Sequence, residues 1–247
     1  MTALASVIGD QATLIVLDEK EAPQAQIDNV MYLLRECESL RIVTTTKPLD
    51  IRGERTLALA PLETPTRLHI YNSMSLNKFP AVRLLISYAS QVRADFHLTA
   101  ENAREICLLI QYVDGIPAAL EALASWLLID DPEVVRYRAD RDLFTLLESP
   151  PDPKSAFAIQ KSLHEAIEKL EPPERTLLET VVDKESSWSV SEVATLTAQD
   201  TILCARLVRT LLTKGLIRPI SGWGRPRFQV LNLVRRWCRQ PDDFPIS

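Results

Sequence analysis

Thr13-Leu14-Ile15-Val16-Leu17 is a continuous, partly β-branched apolar run that stops abruptly at Asp18-Glu19. A short run of this kind predicts a buried strand, here with two carboxylates at its C-terminal end. Ile27 to Cys37 follows as a helix with Ile27, Val30, Met31 and Leu34 on one face. Leu40 to Thr45 reads as a second buried strand, and Pro48 ends the polar tip beyond it. Thr56-Leu57-Ala58-Leu59 predicts a third strand, closed by Pro61. Strand, helix, strand, strand is the order of a parallel α/β sheet, and residues 1–64 leave room only for a small or incomplete one.

The pattern then turns helical. Pro65 and Pro80 bracket a stretch without clear period, after which Val82, Leu85, Ile86 and Ala89 recur at helical spacing. A helix start is expected near Thr99, with Ala103, Ile106, Cys107 and Ile110 inward. Asp114-Gly115-Ile116-Pro117 breaks that pattern, and Pro117 suits the first turn of a helix running to Leu127. Residues 65–148 are thus a helical subdomain. Ser149-Pro150-Pro151-Asp152-Pro153 marks a linker over 149–154.

Residues 155–247 form the last expected unit. Helices are predicted over Ser155–Leu170, Glu174–Val182, Val190–Leu196 and Thr201–Lys214, the last packing through Ile202, Ala205, Leu207, Val208 and Leu211. Two short strands, Leu216–Ile220 and Arg227–Leu231, flank a Gly-containing loop, and Asn232–Arg239 is a final helix. Three helices followed by a hairpin is the order of a winged helix.

Composition narrows the function. Among 247 residues there are 6 glycines and 16 prolines, which suits helical modules with rigid joints more than a glycine-rich phosphate-binding enzyme. Aromatics at 6% argue against a stacking platform for sugars or single strands. The net charge of −5 hides an asymmetry: Gln199 to Gln240 holds nine Lys/Arg against one acidic residue. A basic C-terminal module can contact nucleic acid, an acidic partner or the acidic body before it. Cys37, Cys107, Cys204 and Cys238 stand far apart and away from the three histidines, so reduced thiols are expected and a metal site is not. With no signal-like start and no apolar run long enough for a bilayer, the chain is expected to be cytoplasmic, without a membrane partner.

Acidic pairs at strand ends hold Mg²⁺ and a base in nucleotide enzymes, but they also simply solvate strand ends. No GxxxxGK[ST] occurs, and Gly9 is the sole glycine before Gly53, so no loop of backbone donors precedes Asp18. GxSxG and HExxH are absent as well. No catalytic residue, metal or cofactor is therefore expected, and the chain does not read as an enzyme.

Taken in order, the motifs resemble the STAND class of signal-transduction NTPases, especially AfsR-like and large LuxR-like bacterial transcriptional regulators. Leu14-Ile15-Val16-Leu17-Asp18-Glu19 resembles their Walker B strand, and Arg41 to Leu49 resembles the sensor strand that follows it. Asp114-Gly115-Ile116-Pro117-Ala118-Ala119-Leu120-Glu121 resembles their GxP motif, and the C-terminal winged-helix pattern matches in place. The resemblance implies a partial P-loop-NTPase-like parallel sheet, a helical subdomain and a C-terminal winged helix. It also implies that Asp18, Glu19, Lys47 and Pro117 are the retained positions of a nucleotide site. Lys47 departs from the family's arginine, keeping the charge but not the planar fork. No Met-His-Asp type motif is present.

Two functions remain open. The first is a non-hydrolysing regulatory protein acting through protein–protein contacts, its partner supplying a P-loop domain. The second is a DNA-binding transcriptional regulator whose winged helix uses Arg206, Arg209, Arg218, Arg225 and Arg227.

Overall fold

The computed structural model describes residues 1–18, 24–45, 49, 51–57, 59–66, 73–153, 156, 158–220 and 224–239. They divide into two units: one ends at Leu57, the other comprises the described residues beyond it.

The first unit is α1 (Thr2–Ile8), β1 (Thr13–Leu17), α2 (Gln24–Glu36) and β2 (Leu40–Thr44). β1 and β2 pair in parallel, with Thr13 opposite Leu40 and Leu17 opposite Thr44. Ile15 and Ile42 point to the side covered by Ala5 and Ile8 of α1, by Leu33 of α2 and by Cys37 just past its end. The other side is open: Leu14, Val16 and Val43 are 62%, 59% and 50% exposed. The apolar run thus forms a strand, but one half-buried on a single face, because helices cover only that face. The helix phase shifts accordingly. Val30 and Leu33 are the buried α2 positions, while Leu34, expected inside, is exposed. The expected third strand does not form among the described residues. Leu57 and Leu59 are 82% and 88% exposed, with no neighbouring strand to pair with.

The second unit is helical and closes on a hairpin. After α3 (Ser73–Leu76) come α4 (Pro80–Val92), α5 (Ala103–Tyr112), α6 (Pro117–Trp126) and α7 (Pro132–Glu148). Then follow α8 (Ile159–Glu168), α9 (Pro172–Val182), α10 (Val190–Thr197), α11 (Thr201–Thr213), β3 (Ile217–Ile220), β4 (Arg227–Val230) and α12 (Asn232–Arg239). Proline stands in the first turn of α4, α6, α7 and α9, where its missing N–H costs nothing and its fixed φ suits a helix. Thr99 and Asn102 exchange two hydrogen bonds, 2.9 and 3.2 Å, which close a turn before α5 rather than starting it. α7 bends at Asp142, whose φ of −154° leaves the helix and whose carboxylate accepts from Thr145 N–H at 3.0 Å to restart it.

One continuous apolar cluster runs from Leu76 to Val234 and includes residues of α4 to α7, α9, α11 and α12. Trp188 is fully buried against Phe228, ring centres 5.6 Å apart, and Trp237 meets Phe144 edge-on at 5.8 Å. Trp126 donates its indole N–H to the Leu146 carbonyl at 2.9 Å. Cys37, Cys107 and Cys204 are buried free thiols, and burial pushes Cys107 up to about 11. Among the described residues no helix is long and apolar enough to cross a membrane.

The turn between α5 and α6 is the tightest joint. Asp114 and Gly115 both take positive φ, 53° and 72°. The 62–65 segment lies across them: Leu62 N–H donates to Gly115 C=O at 3.2 Å and Gln111 Nε2 to Pro65 C=O at 2.8 Å. A Cβ on Gly115 would drive into the Leu62 carbonyl oxygen, whereas Gly215 has a similar φ of 69° and open space around it. Gly115→Ala should therefore cost about 3 kcal/mol in urea unfolding and Gly215→Ala only about 1 kcal/mol, the strain of positive φ being common to both. Equal losses would show that the segment crossing Gly115 yields without cost.

Candidate functional site

Helix α10 starts at a reciprocal cap: Ser189 Oγ accepts from Glu192 N–H at 3.3 Å, and the Glu192 carboxylate accepts from Ser189 N–H at 3.1 Å. Ala198, in the left-handed region, ends it, and Asp200 caps α11 by accepting from the N–H groups of Ile202 and Leu203. α11 is anchored by Cys204, Leu207, Val208 and Leu211. Its outward stripe is Ile202, Arg206, Arg209 and Thr213, spaced four, three and four residues apart and so aligned on one face. No acidic residue occurs within α11. Arg206 and Arg209 make no side-chain hydrogen bond or ion pair among the described residues, and with Thr210, Thr213 and Lys214 they line a shallow recess of about 340 Å³.

The hairpin arginines are placed differently. β3 and β4 pair antiparallel, with Arg218 opposite Gln229 and Ile220 opposite Arg227, and Trp188 bridges to Phe228 on the hairpin's flank. Arg227 is held by α10: its Nε donates to Ser187 Oγ at 2.9 Å, its guanidinium reaches both Glu192 oxygens at 2.9 and 3.2 Å, and it also donates to the Ser187 carbonyl. Arg227 in turn holds the Glu192 carboxyl below the usual carboxylate range. Arg218 reaches Gln229 Oε1 at 3.4 Å. Arg225 is exposed and makes no such contact among the described residues. The three basic side chains of α12 also face the body: Arg235 donates to Lys184 C=O, Arg236 to Ala139 C=O at 3.0 Å, and Arg239 pairs with Asp183 at 3.0 Å. Of the five arginines singled out in the sequence, Arg206, Arg209 and Arg225 thus share solvent exposure and have no side-chain partner among the described residues, while Arg218 and Arg227 are built into the module.

The acidic strand end gives less. Asp18 is exposed at the end of β1 and accepts from Thr45 Oγ1, just past the end of β2, at 2.8 Å. Glu19 and Lys47 lie outside the described residues. Pro117 opens α6 in the second unit and is exposed. No group of three His, Cys, Asp or Glu that could hold a metal ion occurs among the described residues.

Asp114 is what sequence reasoning missed. It is 1% exposed, and its carboxylate accepts from Leu233 N–H at 3.0 Å, at the start of α12 and 119 positions away. Beside it Asn232 Nδ2 donates to Gln111 C=O at 2.7 Å. A side chain from one helical turn thus caps the first turn of a helix remote in sequence, satisfying a donor that α12 cannot satisfy itself. The positive charges of Arg218 and Arg235 act on the same carboxylate. No local pattern announces such a contact; the Asp-Gly pair signals only the turn.

No family model matches the chain. Over 127 residues, 49% of its length, it is 33% identical to uncharacterized proteins of Mycobacterium bovis and Mycobacterium tuberculosis, 28% of whose length is matched. Along 96% of its length it is 27% identical to proteins of the same two organisms that carry the provisional name of HTH-type transcriptional regulators, with 26% of their length matched. The chain spans about a quarter of the length of the curated relatives it matches.

Burial raises the Asp114 carboxyl from 3.8 to about 6 against the opposing pull of the α12 N–H groups, Arg218 and Arg235. A carboxyl with a raised folded-state pKa favours the fold when protonated, so its contribution is full below about 4 and lost as pH rises through about 6. The unfolding free energy of the wild type minus that of Asp114→Asn should therefore fall across this window and level off above it, a change on the order of 3 kcal/mol. Denaturant titrations at a series of pH values check this; a difference independent of pH would remove Asp114 from the acid response.

Proposed function

We propose that this chain serves transcription control by binding duplex DNA, with α9, α10, α11 and the β3–β4 hairpin acting as a winged helix and α11 as its recognition helix. The observation that carries this reading is the outward stripe of α11, where Arg206 and Arg209 have no side-chain partner among the described residues and the helix itself holds no acidic residue. Such a helix enters the major groove while arginines reach phosphates. Arg225 on the hairpin loop is placed to add a backbone contact. The similarity to proteins named as HTH-type transcriptional regulators supports the same reading and puts it ahead of a purely protein-binding role. Arg218 and Arg227 serve here as supports: Arg227 neutralises Glu192, a carboxylate near the α10 N-terminus that would otherwise repel phosphate.

A second reading rests on the first unit. The open side of its sheet, Leu14, Val16 and Val43, favours a protein contact, as expected for a regulator that works through a partner. The parallel pairing of β1 with β2, and the Asp18–Thr45 bond where they end, also fit a remnant of a STAND-type nucleotide domain. Both ideas can hold together with DNA binding in the second unit.

Duplex binding measured by fluorescence anisotropy across salt concentrations tests the leading reading. Affinity should fall linearly on a log–log plot, and Arg206→Ala and Arg209→Ala should each reduce the slope by about one. Arg227→Ala should leave the slope unchanged while weakening binding at each salt concentration, because Glu192 is then left unneutralised. Absence of salt-dependent binding, or an unchanged slope in both α11 variants, would sink the proposal.

A further inference from the structure

Ile202 belongs by its apolar character to the core of α11, yet it is 66% exposed; Leu203, next in sequence, is 41% exposed. Among the described residues nothing covers it. It sits in the first turn of α11, two residues after the Asp200 cap, and on the stripe that carries Arg206 and Arg209. At 1.5 Å of rise per residue, Arg206 lies about 6 Å and Arg209 about 10 Å farther along the helix. Those are about two and three base steps of 3.4 Å.

An apolar side chain beside two unpaired arginines needs a surface that is negatively charged and still offers an apolar group. The DNA major groove does so at one kind of position, the 5-methyl group of thymine. The first turn of a recognition helix is also the part that reaches base edges. We infer that Ile202 is a specificity-determining residue that packs on a thymine methyl group, while Arg206 and Arg209 supply the charge that holds α11 in the groove. This inference rests on the DNA-binding reading above. It adds what that reading lacks, a base preference and the side chain that sets it. Asp200 keeps its charge beside this turn, with one carboxylate oxygen, Oδ1, held by the N–H groups of Ile202 and Leu203.

The test uses the whole chain. Duplexes retained from a randomised pool at low salt are sequenced, and each recurring thymine is replaced singly by deoxyuridine, which removes only the methyl group. Burial of one methyl group predicts a roughly fourfold loss of affinity at one such position. In Ile202→Ala, an exposed substitution that leaves the buried face of α11 intact, thymine and deoxyuridine duplexes should bind alike. Three results overturn the inference while duplex binding stands: retained DNA without base preference, no cost for deoxyuridine anywhere, or a deoxyuridine cost that persists in Ile202→Ala. A variant that binds every duplex as the wild type does likewise removes Ile202 from the DNA contact. No retained duplex at low salt overturns both this inference and the DNA-binding reading.

Discussion

The contact on which the second unit turns is the hydrogen bond from Leu233 N–H to the buried carboxylate of Asp114. It joins the turn that ends α5 and begins α6 to the helix that ends the described chain. The Asp114 backbone holds a positive φ to present its side chain there, and the crossing segment at Leu62 leaves space at the next position only for glycine. Two adjacent left-handed residues, a proline start for α6 and a remote cap for α12 are thus one device. α12 packs on α5, α8 and α9, so fixing its start also fixes how the hairpin module sits on the bundle.

The basic excess of the C-terminal module has two uses. Arg227, Arg235, Arg236 and Arg239 bond to acidic side chains or carbonyls of the rest of the unit, and Arg236 also stacks over the Tyr112 ring at 4.3 Å. These residues act as rivets, and their charge is largely answered within the fold. Arg206, Arg209 and Arg225 are left facing solvent. A count of lysines and arginines cannot separate the two groups, because the difference lies in which helix faces which carbonyl.

Much of the fold was legible for reasons that operate locally. The β-branched run at Thr13–Leu17, the prolines at 80 and 117 and the glycine-bearing loop before Arg227 act within a few residues, and the elements they announce are present. The Asp131-Pro132 start of α7 obeys the same rule, but the break at Asp142 spoils the apolar period beyond it, so no single helical period marks this helix. Where the reading failed, it failed over partners. The apolar run places Leu14 and Val16 inside, and the helix pattern places Ile202 there; whether an apolar side chain is covered depends on what packs over it. The candidate site was half legible: residue type pointed to the arginines, geometry selected among them, and Asp114 carried no signal beyond its turn.

The 119-residue separation of Asp114 from Leu233 also sets an order of assembly. Closing a loop of that length costs about 4 kcal/mol of chain entropy, far more than the neighbouring turns of a helical bundle demand. During synthesis the bundle helices emerge first and can collapse by local contacts, while the carboxylate stays hydrated and its turn uncommitted. Only when α12 leaves the ribosome can that charge be buried. Of the helices described, the one made after all the others is therefore the one that locks the joint between two of the earlier ones.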